Sequence, residues 1–263
     1  MDSWEDFEKS LETLRNELLG IKSQINSTYV SQPLFRGHAN SEWRLASTLE
    51  RSISEKNISL SEYFEITSEA ISEIRKEYST APNFLPIENI TDFDLIMKPE
   101  RIDQYVPALA YLRHHGFPSP LLDWSQSKEV AAYFAFRDKS KSDFVSIFVF
   151  VEYVSGGKIV NRNGPKINGI GHTLKNVHPR HDNQKSEYTV CLCRENEIQY
   201  FTQHELVLTK SVKAQDITLR FDIPNKEREK VMEMLIKQGF TDSKIMGASE
   251  DSLTKSLAYR FFR

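Results

Sequence analysis

The pattern of apolar and polar positions predicts a chain that begins and ends with helices and places most of its strands in the second half. Apolar residues from Trp4 to Ile25 recur every three or four positions, which predicts an amphipathic helix over residues 3–26. The nearly continuous apolar run Phe144–Val151 predicts a strand that is buried on both faces. Helices that flank a strand-rich segment in this way are typical of an α+β domain.

Weaker periodic segments give the remaining elements. The same spacing rules predict further helices over residues 59–80, 103–115, 127–137, 225–238 and 252–262. Alternating or short apolar runs predict strands over residues 32–37, 121–122, 188–193, 201–209 and 216–223. Residues 41–51 are interpreted as a turn and an extended piece, and residues 80–99 and 161–175 as loops. We expect a helical segment over residues 1–30, which packs on its own domain or receives a partner helix, and a single domain over residues 31–263.

Composition narrows the class of protein. The chain has 263 residues, of which 39% are hydrophobic and 27% charged, as in an ordinary folded domain. A net charge of -3 argues against tight non-specific binding of nucleic acid, but it leaves room for a local basic patch. Apolar runs stay shorter than the roughly 18 residues that cross a bilayer, and the acidic first residues do not resemble a signal peptide. We therefore expect a cytoplasmic protein that does not contact a membrane.

The two cysteines are expected to be free thiols. Cys191 and Cys193 alternate with Leu192 in an apolar run, so both side chains point to one face of a strand and suit a disulfide poorly. The sequence has no third cysteine to complete a zinc site, and neither an HExxH nor a CxxC pattern occurs. We therefore expect no metal.

The first candidate site residue is Arg36, at the end of a short apolar strand. A guanidinium that is buried without an anion is costly, and its planar fork suits a phosphate or a carboxylate. Gly37 next to it lets a ligand approach the backbone. The alternative is a structural ion pair between Arg36 and an internal acid such as Asp123.

A second candidate lies where a short strand reaches Asp123, Trp124 and Ser125, and a helix begins with Ser127 as its N-cap. Asp123 and Ser125 alternate with Trp124 and therefore share a face. In this interpretation Asp123 orients Arg36, Ser125 binds a ribose hydroxyl, and Trp124 packs in the core or forms a wall of the pocket. The alternative is that Asp123 and Ser125 only cap the helix.

Two further segments carry polar chemistry. Adjacent side chains of a helix do not share a face, so we expect one of His114 and His115 to reach the pocket, and a structural histidine is an equal alternative. Glu187 stands at the start of a strand, where a carboxylate orients a hydroxyl or stabilises a developing cation, and an ordinary exposed acid is the alternative. Basic side chains precede Glu187 in the sequence, and they either suit nucleic-acid phosphates or belong to a solvated loop. They are Lys166, Lys175, His178, Arg180, His181 and Lys185.

These segments resemble the FRG domain. Phe35-Arg36-Gly37, followed by Trp43-Arg44-Leu45 and Leu49-Glu50-Arg51, is similar to the opening of that family. Its central block is similar to His114-His115-Gly116, the run from Leu121 to Ser125 and the run from Val130 to Ala135. Its third block is similar to Arg180 and Gln184 before Tyr188-Thr189. The resemblance spans about residues 34–240.

The same segments resemble an ADP-ribosyltransferase, a fold with an arginine on its first strand, a serine-threonine-serine corner before a helix, and a catalytic glutamate at the start of a later strand. Arg36, the corner at Ser125 and Glu187 match these elements. Departures from the usual pattern occur at Asp123, Trp124 and Lys185. The resemblance implies an ADP-ribosyltransferase-like split β-sheet core with N-terminal and C-terminal helices, and a catalytic domain over residues 31–263.

The resemblance also implies roles toward NAD as a substrate. Arg36 holds the pyrophosphate or ribose side of NAD, Ser125 holds the nicotinamide ribose, and Glu187 binds its 2′-hydroxyl and stabilises an oxocarbenium-like transition state. The expected contacts with NAD are Arg36, Gly37, His115, Asp123, Trp124, Ser125 and Tyr133. The expected contacts with the acceptor are Arg180, Gln184 and Lys185.

The function that this resemblance implies is transfer of ADP-ribose to a macromolecule by a toxin of bacterial anti-phage defence. The basic residues near Glu187 favour RNA over DNA or protein as the acceptor. A toxin also implies an antitoxin protein as a partner. Two alternatives stay open: hydrolysis of NAD with water as the acceptor, and a nucleotide- or RNA-binding module without catalysis.

Overall fold

The computed structural model describes residues 1–24, 31–53, 57–78, 99–153, 164–170, 179–208 and 215–247. Within these residues the chain forms one eight-stranded sheet with helices packed against it, which confirms the α+β class. The helices are α1 (Trp4–Gln24), α2 (Thr48–Ser52), α3 (Leu60–Glu77), α4 (Pro99–His114), α5 (Lys128–Phe136), α6 (Pro179–Asn183), α7 (Glu205–Leu208), α8 (Arg228–Lys237) and α9 (Asp242–Met246). The strands are β1 (Leu34–His38), β2 (Ile58–Ser59), β3 (Leu122–Ser125), β4 (Phe144–Tyr153), β5 (Lys166–Gly169), β6 (Ser186–Glu195), β7 (Ile198–Phe201) and β8 (Gln215–Pro224).

The order of the strands brings distant parts of the chain together. The sheet runs β2-β7-β6-β3-β1-β4-β8, and β5 pairs with β6. Along β1 and β4 the pairing extends from Leu34 to His38, whereas the recorded pairing of β1 with β3 is the single pair Phe35 and Ser125. The sheet is therefore joined loosely between β1 and β3, and the neighbours on the two sides of β3 are β1 and β6.

Three apolar clusters hold the sheet. The first packs α1, α5 and α8 on β1, β4 and β8, and it includes Phe7, Phe136 and Ile147. The second packs α3 and α4 on β6 and β7. Side chains alternate along a strand, so Phe148 and its cluster lie on the opposite face from Ile147, under the segment that contains Leu45.

The N-terminal helix packs on its own domain, which was one of the two expectations. The stripe of α1 is buried in the first cluster, and its members are Trp4, Phe7, Leu11, Leu14 and Leu18. An ion pair adds to this contact, because Lys128 at the start of α5 donates from Nζ to Glu8 Oε1 at 2.6 Å. None of the described helices is both long enough and apolar enough to cross a bilayer.

Three of the sequence-based assignments are wrong. Residues 48–52 form α2 rather than an extended piece, because Ser47 and Glu50 form a reciprocal capping box. The predicted strand over residues 201–209 ends at Phe201, and α7 follows, where Glu205 accepts a hydrogen bond from the backbone of Leu45. Part of the loop over residues 161–175 is β5, which pairs with β6. Most of the loop predicted for residues 80–99, and the helix predicted for residues 252–262, lie outside the described residues.

Candidate functional site

A cleft of about 280 Å³ lies between α5 and the loose junction of β1 with β3. This volume is close to the lower end of the roughly 300–1,000 Å³ that small-molecule sites occupy. The residues that line it are Phe35, Arg36, Gly37, Ala39, Trp43, Asp123, Trp124, Ser125, Val130, Ala131, Phe134, Arg137, Asp138, Gln184 and Ser186. The first two candidate segments of the sequence therefore meet in one cleft.

Among the described residues, one edge of the Arg36 guanidinium, at Nη2, has no protein partner. Its Nη1 donates to the backbone oxygen of Asp123 at 2.7 Å, and its Nε donates to His38 Nε2 at 3.0 Å. Among the described residues nothing accepts a hydrogen bond from Nη2, and the side chain is 19% exposed. Burial lowers the pKa of Arg36 to about 10, so the group is still charged at neutral pH. This edge is the part of Arg36 that can bind an anion.

Asp123 does pair with Arg36, but its main partner is Arg113. Arg113 donates from Nε to Asp123 Oδ1 at 2.6 Å and from Nη2 to Oδ2, whereas Arg36 Nη1 lies 3.8 Å from Oδ2. Burial opposes ionisation of Asp123, but Arg113 and then Arg36 outweigh it, so the pKa of the carboxyl lies below its usual value. Two guanidinium groups thus share one carboxylate, and the local charge is left positive.

Ser125 is part of the corner between β3 and α5. Its hydroxyl donates to the backbone oxygen of Gln184 at 2.7 Å and accepts from the backbone nitrogen of Ser127 at 3.0 Å. Ser127 is the N-cap of α5, as expected, and its side chain accepts from the backbone nitrogen of Val130. Ser125 therefore supports the cap and keeps one acceptor lone pair for a ligand hydroxyl.

Trp124 belongs to the core and also reaches the cleft. It is 3% exposed, and its Nε1 donates to Thr189 Oγ1 at 2.8 Å. The same Thr189 oxygen lies 3.1 Å from His204 Nε2, and His204 Nδ1 lies 2.6 Å from Glu50 Oε1. A chain of hydrogen bonds from α2 to β3 therefore holds the indole in place.

Glu187 lies next to the cleft but does not line it. It pairs with Trp124 across β3 and β6, so its side chain leaves the sheet on the face opposite to Ser125. The carboxylate is buried and accepts a hydrogen bond from Gln126 Nε2 at 2.5 Å. In this arrangement Gln126 covers the group to which the sequence assigned the transition-state role.

Arg36 shares a face with Glu187. Arg36 pairs with Phe148 across β1 and β4, and Phe148 and Trp124 belong to one cluster on that face. Two strand spacings separate β1 from β6, so the backbones of Arg36 and Glu187 are about 10 Å apart. The structure thus brings Arg36 and Glu187 to one face, and Ser125 to the other face of the same three strands.

Gly37 is required by packing. A Cβ at this position would lie 1.9 Å from the backbone oxygen of Ala131 and 2.8 Å from the backbone nitrogen of Ala135, so α5 rests directly on β1. The expected reason for the glycine was the approach of a ligand to the backbone. Close contact between the strand and the helix is the reason that the structure gives.

Two of the expected NAD contacts lie away from the cleft. His115 is exposed, with its ring 4.3 Å from that of Tyr111, while His114 is the histidine whose charge helps to lower the pKa of Asp123. Tyr133 is buried and its hydroxyl donates to Asp242. Neither His115 nor Tyr133 lines the cleft.

One of the three expected acceptor contacts lines the cleft. Gln184 lines it and donates from Nε2 to the backbone oxygen of Ile245 at 3.2 Å. Lys185 is exposed at the turn between α6 and β6, with φ 46°. Arg180 lies on α6, and its side chain, like Lys175 and His178, is outside the described part of the chain.

Sequence reasoning missed three residues at this site. Arg113 follows the buried Leu109 by four positions and therefore lies on the buried side of α4. A cation at such a position could have been recognised in the sequence as a group that needs a buried acidic partner. His38 alternates with Arg36 on β1, and burial followed by the charge of Arg36 lowers its pKa to about 3. Trp43 was noted only as part of a motif, and it lines the cleft with its indole 54% exposed. Its exposure has no signal in the sequence.

The described residues offer no obvious metal site. Within the ranges given above, no three histidine, cysteine or carboxylate side chains stand together in a way that could hold an ion. The thiols of Cys191 and Cys193 are buried and are not joined in a disulfide, as expected.

The fold and cleft define an α+β protein in which a cleft that contains Arg36 lies at the junction of β1 and β3. The family model of the FRG domain matches residues 31–144, and the chain accordingly contains an FRG domain. No curated protein and no solved structure matches the chain.

The structure gives each residue of the Phe35-Arg36-Gly37 tripeptide a separate task. Phe35 is buried in the first cluster. Arg36 spans the junction to β3 through the backbone oxygen of Asp123. Gly37 lets α5 approach. Core packing, strand joining and helix contact thus follow one another in three consecutive residues.

Proposed function

We propose that this protein is an NAD-dependent ADP-ribosyltransferase. The observation that carries the proposal is the strand order β6-β3-β1, which makes neighbours of the strands that bear Glu187, Ser125 and Arg36. The resemblance drawn from the sequence requires these three segments to meet, and their spacing along the chain does not force them to do so. The loose junction between β1 and β3 supports a split-sheet core.

The chemistry needs three separate contributions. The bond between C1′ of the nicotinamide ribose and the nicotinamide nitrogen breaks, and its electron pair leaves with nicotinamide. An acceptor nucleophile then forms a bond to C1′ and loses its proton. The outer edge of Arg36 binds the pyrophosphate, Ser125 accepts a hydrogen bond from a ribose hydroxyl, and Glu187 stabilises the cation that develops at C1′.

In this proposal Glu187 has to exchange the bond with Gln126 for one with the substrate. Gln126 is exposed, so its amide can turn into solvent without disturbing the core. One oxygen of the buried carboxylate then becomes free to accept a hydrogen bond from the substrate. The substrate hydroxyl replaces the lost hydrogen bond, so the buried acceptor stays paired.

The test measures transfer of label from NAD to separate pools of RNA, DNA and protein. We expect label in the RNA pool with the wild-type protein and loss of at least about 100-fold with Glu187→Gln, the scale on which single electrostatic stabilisers act. The matched control is Glu195→Gln, which makes the same change at the exposed end of the same strand. Equal activity in Glu187→Gln and wild type would remove the proposed role of this carboxylate.

The remaining parts of the proposal concern the biological setting. A basic, exposed Lys185 beside Gln184 at one end of the cleft supports RNA as the acceptor. Action as a toxin in anti-phage defence, with an antitoxin protein as partner, follows from the resemblance alone. Label that appears as free ADP-ribose without any acceptor would instead identify an NAD hydrolase.

A second candidate is a nucleotide-binding module without catalysis. The specific observation in its favour is that Glu187 lies on the face opposite to Ser125 and is already paired with Gln126. This candidate predicts that Glu187→Gln binds NAD as tightly as wild type, that Arg36→Met does not bind it, and that neither the wild type nor a variant consumes it.

A further inference from the structure

One indole is held in solvent at the mouth of the cleft. Of the three tryptophans, Trp4 and Trp124 are 4% and 3% exposed, whereas Trp43 is 54% exposed. A large aromatic surface in contact with water is stabilised when a flat apolar partner covers it. Trp43 also lines the cleft that contains Arg36.

The turn that carries Trp43 is firmly held. The backbone nitrogen of Ser41 donates to the oxygen of Phe144 at 3.0 Å, and the guanidinium of Arg220 donates to the oxygen of Ser41. On the other side, Arg44 donates to Glu205 at 2.9 Å, and the next residue is fully buried. The exposed ring therefore stands between two anchored residues, and stacking on it costs little additional ordering.

Trp43 and the outer edge of Arg36 are separated by one imidazole. The ring centres of His38 and Trp43 are 6.3 Å apart, and His38 Nε2 is 3.0 Å from Arg36 Nε. In a nucleotide, one ribose separates the base from the phosphate. An aromatic plane and a cation at this spacing match a base and a phosphate of one nucleotide.

We propose that Trp43 is a stacking platform for the base of a nucleotide whose phosphate binds Arg36. The inference rests on the proposed function in one respect: the nucleotide is the adenosine diphosphate part of NAD. This orientation places the adenine at Trp43 and leaves the nicotinamide ribose for Ser125, further along the cleft. A nucleotide of RNA has the same chemistry, and the test separates the two sources.

The test is a set of titrations of the intact protein with ADP, ribose 5-phosphate and a short adenine-free RNA. Affinities are measured by isothermal titration calorimetry, because Trp43→Leu lacks the indole whose emission would report stacking and Trp124 also lines the cleft. We expect Trp43→Leu to weaken ADP binding by roughly 5- to 150-fold, which corresponds to the stacking of about one base. Trp43→Phe, which keeps an aromatic plane, should bind within a few-fold of wild type.

Two controls keep the result specific. Ribose 5-phosphate has a phosphate and no base, so its affinity should be the same for wild type and Trp43→Leu and should fall for Arg36→Met. Tyr78→Leu removes another exposed aromatic ring at the end of α3 and should change neither affinity.

Each outcome decides the proposal in a different way. Wild-type affinity of Trp43→Leu for ADP, or an equal loss of ADP and ribose 5-phosphate, would overturn the stacking role. A loss confined to the RNA would overturn the assignment to NAD and make Trp43 an acceptor contact. Binding of ADP that depends on Trp43, in a protein that does not turn over NAD, would uphold this inference while the proposed enzyme activity fails.

Discussion

Replacement of Gly37 by alanine tests the contact on which the cleft is built. The added Cβ would lie 1.9 Å from the backbone oxygen of Ala131, and real Cβ atoms essentially never come within 3.0 Å of another atom. The obstacle is helix backbone rather than the end of a flexible side chain, so α5 has to move by about 1 Å or more. Overpacking of a core costs about 1–3 kcal/mol and more where backbone must shift. We expect the free energy of unfolding to fall by about 3 kcal/mol or more.

The assay is urea denaturation at constant pH, followed by circular dichroism. The matched control is Gly20→Ala in α1, where the new methyl group meets nothing within 4 Å. Glycine inside a helix costs about 0.5–1 kcal/mol relative to alanine, so this control should become more stable by that amount. A Gly37→Ala variant within 1 kcal/mol of wild type, with an unchanged slope, would show that α5 does not rest on β1 and would refute the reasoning.

Three further changes probe the charged groups around the cleft. The pKa of His38 is about 3 in the folded protein and about 6.5 when unfolded, so its contribution to the free energy of unfolding is fully present above pH 6.5 and falls by about 2 kcal/mol on acidification to pH 5. In His38→Asn the free energy of unfolding should therefore depend less on pH between 6.5 and 5. An unchanged pH dependence would contradict the burial of His38. Asp123→Asn removes the carboxylate that pairs with Arg113 and should lower the free energy of unfolding by about 2 kcal/mol, which is less than the loss of a fully buried pair because the carboxylate is partly exposed. Added phosphate should raise the urea midpoint of this variant more than that of the wild type. Glu50→Gln weakens the hydrogen bond to His204 and should lower the free energy of unfolding by about 1–3 kcal/mol, measured by thermal or urea unfolding. An unchanged free energy would show that the hydrogen bonds from Glu50 through His204 to Thr189 do not stabilise the fold.

Local patterns were sufficient for several elements. The 3- and 4-residue spacing of apolar positions identified α1, and the capping serine Ser127 identified the start of α5, because periodicity and capping are properties of neighbouring residues. The continuous apolar run of β4 likewise indicated a buried strand, which lies between β1 and β8. Where a local rule was overlooked, as in the capping box of Ser47 and Glu50, the assignment was wrong.

In the candidate site, too, some features were predictable from local sequence and others were not. Arg36, Asp123 and Ser125 were chosen from the chemistry of their side chains at strand ends, and all three line one cleft. Glu187 was chosen on the same grounds, but the face to which it points depends on its register with Trp124. A shift of one residue in register reverses the face of every side chain in a strand, and no short-range pattern sets the register of strands this far apart.

The classes of elements, the α+β character and the residues whose side chains can bind an anion were predictable from local patterns, because each of these follows from the chemistry of a few adjacent positions. The order β6-β3-β1, the ion pair of Asp123 with Arg113 and the exposure of Trp43 became visible only in the folded protein. The fold also explains why residue 37 is a glycine, because α5 packs directly against β1 at that position. These features arise from hydrogen bonds and packing between segments that are distant in the chain, and such contacts exist only once the sheet has formed.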